Sequence, residues 1–145
     1  MVDYHTGLGP RGHGERICVH RPDGEGLART EDWYSGDVTS PALGNSASVV
    51  LEGVNVIGME EALPEGCELT AVALEYGTIP TEQVRLALRA DNWLHLHGHL
   101  DSARGREIKA QIRAAFYQDA DDWKEAIWQR GLDTQRLALA GLTQS

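Results

Sequence analysis

Residues 68–76, ELTAVALEY, form a strongly apolar run of strand length. Such a run fits a central strand buried on both faces, which needs neighbours on either side and covering layers above and below. Beyond it the pattern changes period. Thr-Glu-Gln after Pro80 suits a first helical turn, with Glu82 near the positive end of the dipole. Val84, Ala87, Leu88, Asp91 and Leu94 share one face, which predicts a helix to about His97, where Gly98 weakens it. Ile108, Ile112, Ala115 and Phe116 mark a second helical stripe. Trp123, Ala126, Ile127 and Arg130 mark a third, predicted to stop at Gly131 as a C-cap, with a last short helix over 132–142.

Upstream the elements are shorter. The opening MVDYHTGLGPRGHG is rich in glycine, and 15–19 can form a strand leading out of it. A short helix is predicted over 27–34 with Trp33 turned inward, then a Gly, Ser, Thr and Pro loop over 35–45. Residues 46–51 are β-prone, and 54–63 predict a helix stopped by Pro64. A chain of 145 residues supports one domain with a real core. Roughly three strands followed by several helices give an α/β layer architecture over 1–145.

Composition narrows the function classes. The apolar fraction of 41% argues against wholesale disorder. No apolar run reaches the roughly 20 residues of a membrane-spanning helix, and no signal peptide is evident, which predicts a cytoplasmic protein. Thirteen basic against 22 acidic side chains leave a net charge of −9, which repels nucleic acid and anionic membranes. Cys18 and Cys67 lie in apolar stretches and read as packed free thiols. Neither belongs to a C-x-x-C pair.

Two places can carry chemistry. Glu75 stands where the buried strand gives way to Gly77, and ligands of such sheets bind just beyond strand ends. Partial desolvation there raises a carboxyl pKa and suits it to proton transfer. The structural alternative is a Glu paired with an arginine or backbone amides. His5 lies in the glycine-rich opening, with Asp3 able to share its strand face; by itself it reads as a surface or hydrogen-bonding histidine. A second histidine group, His95, His97 and His99, has i, i+4 spacing suited to a metal, but Gly98 interrupts it, and a capping or solvated cluster is the better reading. The acidic run from Asp119 reads as a helix N-terminus.

Taken together, DYHTGLGPRGHG and, about seventy residues later, ALEYGT and LRADNWLHLHG resemble the C-terminal half of the zinc-carboxypeptidase superfamily. The nearest branch is the carboxypeptidase-like group close to aspartoacylase and succinylglutamate desuccinylase. The resemblance implies part of a three-layer carboxypeptidase-like fold and a metal-assisted hydrolysis of an amide. It places His5 at the third zinc-ligand position and Glu75 at the catalytic glutamate, with Arg11 near the pocket as a candidate for substrate binding. The implied substrates are small peptides or N-acyl amino acids.

The family's His-x-x-Glu zinc pair does not occur in the chain; His20-Arg-Pro-Asp23 is the nearest approach. Zinc sites use three or four protein ligands, so the chain alone is expected to lack hydrolase activity. The expected function is therefore the C-terminal segment of a zinc-dependent amide hydrolase, entered in the middle of a larger domain. The alternatives are a non-catalytic binding or oligomerisation module, or an enzyme completing its zinc site across an oligomer interface. An uncovered sheet edge or face predicts self-association as a two-fold dimer, or a complementing N-terminal half.

Overall fold

In the computed structural model, which describes residues 1–144, the apolar run becomes the central strand of a three-stranded sheet. Strand β1 spans Val2–Arg11, β2 Gly14–Ile17 and β3 Val72–Gly77, in the order β1-β3-β2. β3 runs parallel to β1 and antiparallel to β2. Five α-helices are described: α1 Glu25–Trp33, α2 Asn55–Ala62, α3 Thr81–His97, α4 Ala103–Phe116 and α5 Asp121–Leu142, with one 3-10 turn at Pro41–Leu43. The fold is mixed α/β, and no described helix is long and apolar enough to cross a membrane.

Alternation along β3 divides the sheet into two unlike faces. Leu74 and Tyr76 point to one face and pack on Trp123 of α5, with Val2, Ala120 and Ile127 closing the cluster. Trp123 also donates from Nε1 to the Gly77 carbonyl at 2.8 Å, so the core indole satisfies its polar atom at the strand end. Ala73 and Glu75 point to the other face, where the register sets them beside Asp3 and His5 of β1 and Ile17 and Glu15 of β2. The odd-numbered face therefore carries the acidic groups and His5, while Arg16, beside Leu74, lies on the other.

α5 is tied to the sheet by charge as well as packing. Arg16, fully buried in β2, donates from Nε to Thr134 Oγ1 at 2.9 Å, from one terminal nitrogen to Asp37 at 2.8 Å and from the other to Asp133. Its guanidinium lies over the Tyr34 ring. Arg130 of α5 reaches the Gly14 carbonyl and both oxygens of Asp37.

The structure corrects several expectations. Gly131 does not end a helix: α5 continues unbroken to Leu142. A Cβ at Gly131 would stand 2.9 Å from Tyr76 Oη, so the glycine provides clearance for close packing of helix and sheet. Residues 46–51 do not form a strand. Ser46 Oγ and Ala47 N donate instead to the Glu15 carboxylate, and Val49, Val50 and Leu51 stay exposed. Strand β2 ends at Ile17, because Cys18 N turns to the Thr39 carbonyl. Cys18 is buried and free as expected, whereas Cys67 is free but exposed in a turn closed by its own N–H on Pro64 O. Leu88 is exposed; Val84 and Leu94 alone of that stripe are fully buried.

Candidate functional site

The glycine-rich opening builds the site. β1 pairs regularly with β3 from Val2 to Gly7, and then Arg11 meets Gly77 again, so Leu8, Gly9 and Pro10 bulge out of the ladder. Gly9, at φ +87°, makes the turn that most side chains would resist. A Cβ on Gly77 would collide with the carbonyls of Gly9 and Pro10, so both sides of this close approach require glycine. The bulge carries Leu8 N over the sheet, where it donates to Glu75 Oε1 at 2.9 Å.

His5 and Glu75 are register partners across the parallel β1–β3 pair. Both line one cleft of about 360 Å³, together with Asp3. Asp3 Oδ2 lies 3.0 Å from His5 Nε2, fixing the ring while leaving Nδ1 without a hydrogen bond among the described residues. Glu75 is buried, and burial raises its carboxyl pKa; the Leu8 N–H and the charge of His5 oppose that rise, and Glu15 adds to it. The opposite wall comes from Leu51, Val54 and Val56, held in place because Glu15 gathers the loop before them. Glu15 Oε1 accepts from Thr39 Oγ1 at 2.5 Å, Ser46 Oγ at 2.7 Å and Ala47 N at 3.0 Å.

The structure thus brings His5 and Glu75 together and leaves Arg11 apart. Arg11 is exposed at the end of β1 in a two-pronged pair with Asp122 of α5, at 2.6 and 3.0 Å, and does not line the cleft. The second histidine group makes no metal set either. Lys109 Nζ stands 2.7 Å from His95 Nε2 and 2.7 Å from Asp91 Oδ1, which places an ammonium where a cation would have to sit. His97 lies against Trp93, and the His99 carbonyl accepts from Ser102. Among the described residues, no three of His, Cys, Asp and Glu converge to hold a metal ion.

The roles of two further residues, Glu15 and His20, have no signal in the sequence. Glu15 was placed in a strand, but its position opposite Glu75 depends on the β2–β3 register. His20, fully buried, contacts Glu60 Oε1 through Nδ1 at 2.5 Å and accepts from Ala71 N through Nε2 at 2.9 Å, fastening the entry to β3. Neither the pairing nor the burial has a local signal.

No curated protein and no solved structure matches the chain. A family model does match, over residues 1–130, a span that includes all three strands and every residue of the cleft. The chain therefore belongs to the family described as "Protein of unknown function (DUF2817)".

Proposed function

We propose that this chain is the Glu75-bearing part of an amide hydrolase of the zinc-carboxypeptidase type, with Glu75 as general base and His5 at a metal-ligand position. The observation that carries this reading is the register pairing of His5 with a buried Glu75 at one cleft. Glu75 Oε2 takes no hydrogen bond among the described residues, so it is available to receive a proton from a water in the cleft. Burial keeps its carboxyl above the ordinary range, which narrows the gap to neutral pH.

The described residues do not make up a zinc site by themselves. A zinc site normally takes three or four protein ligands, and His5 supplies one nitrogen. The chain alone acts as a binding module at this cleft, and turnover requires further ligands from a second copy or a complementing chain.

Metal content per chain after tag-free purification, with hydrolysis of short peptides and N-acyl amino acids, tests the reading. Zinc uptake that falls on His5→Ala, and turnover that appears only with a complementing chain and falls on Glu75→Gln, are the expected results. Zinc uptake that depends on His95 or His99 instead overturns it.

A further inference from the structure

We infer that the cleft takes a small uncharged amide with a branched aliphatic side chain and discriminates against carboxylates. This deepens the proposed function and rests on the same site. Ile17, Leu51, Val54 and Val56 line one part of the cleft with aliphatic surface, and its volume of about 360 Å³ lies at the lower end for small-molecule pockets. The charged lining residues are Asp3 and Glu75, with His5 held by Asp3. Among the described residues no lysine or arginine lines it, and Arg11 is engaged by Asp122 elsewhere.

A ligand carboxylate would enter between two acidic side chains and an aliphatic wall, losing water with no cation to replace it. An amide meets the same surroundings differently. Its N–H can donate to Glu75 Oε2, and Ser48 and Asn55, which also line the cleft, carry neutral groups for its carbonyl. The aliphatic part then covers Leu51 and Val54. An ammonium would meet the unpaired Glu75 carboxylate, so the charge of the lining selects against anions and not against cations.

Isovaleramide, isovalerate and isoamylamine share one branched skeleton and differ in the charge of the head. Each is titrated into the full chain at neutral pH while methyl resonances of Leu51, Val54 and Val56 are followed by NMR. Isovaleramide is expected to move these signals and isovalerate to bind more weakly by about ten-fold or more, with isoamylamine binding more tightly than isovalerate. Glu75→Gln is expected to narrow the amide–carboxylate gap, and Val54→Asp, which keeps Glu75, to abolish amide binding. Binding of isovalerate within about ten-fold of the amide, or more tightly than isoamylamine, overturns the inference. So does a response confined to other residues, or none up to about 100 mM. The readout needs no turnover: an inert chain that selects the amide counts against the hydrolase reading alone. An active assembly that prefers isovalerate counts against this inference alone.

Discussion

Glu75 stands opposite Glu15 in the register of the antiparallel β2–β3 pair, and the two carboxylates are held unequally. Glu15 accepts from two hydroxyls and a backbone N–H, whereas Glu75 accepts from Leu8 N alone. Carboxylates this close in the ladder repel unless donors offset their charge. The donors collect on Glu15, which leaves Glu75 as the member suited to hold a proton.

Stability should report that difference. Burial raises the folded pKa of Glu75 above its ordinary value of 4.5. The native state therefore binds more protons than the unfolded chain between those two values, and stability falls as pH rises through that interval. Glu75→Gln should be more stable than the parent at neutral pH, with the difference vanishing below about pH 4.5. Urea midpoints across a pH series check this; a constant difference would contradict it.

Arg16→Met should cost about 2–3 kcal/mol. It removes the buried link between β2, Thr134, Asp37 and Asp133, although both carboxylates remain partly solvated. Arg16→Lys should recover little, since one ammonium cannot reach three partners in a fork. Asp133→Asn should cost less than about 1 kcal/mol because that side chain is more than half exposed. Chemical denaturation distinguishes the three.

Gly77→Ala should destabilise by about 3 kcal/mol. The added carbon would meet backbone carbonyls of Gly9 and Pro10, which cannot rotate away as a flexible side chain could. The bulge would open and the Leu8–Glu75 bond with it, so amide exchange at Leu8 should quicken in the variant.

His20→Ala should cost about 2–3 kcal/mol. It strips the buried Ala71 N–H of its acceptor and leaves Glu60 without its partner. The entry to β3 should then exchange faster than its C-terminal end. Equal protection along β3 would show that His20 merely fills space.

Self-association should follow from the sheet. β1 is an edge strand, and beside it Tyr4 and Trp128 are 51% and 64% exposed on an apolar groove shared with α5. Sedimentation at concentrations on the order of 10 µM should show a dimer, and Tyr4→Lys with Trp128→Lys should shift it to monomer. A monomeric parent would count against this.

The central strand and the helices after Pro80 were legible because each carries its own periodicity over many residues. α3 ends at His97 as read, and Glu75 was marked by a carboxylate ending an apolar run. Where a contact set the outcome, local pattern failed. Gly131 reads as a stop, but packing on Tyr76 keeps α5 whole. Residues 46–51 have strand chemistry, yet Glu15 takes Ala47 N and the Ser46 hydroxyl in place of a ladder partner.

The sequence by itself determined the α/β class and the buried strand, and it offered Glu75, and through a family resemblance His5, as candidates. Tertiary structure decided which of them meet. The register of β1 on β3 set His5 beside Glu75, the bulge at Leu8–Pro10 supplied the one donor Glu75 receives among the described residues, and the packing of α5 paired Arg11 with Asp122. Periodicity is written in neighbours along the chain. Register is settled by the summed fit of residues some seventy positions apart, which no short stretch can encode.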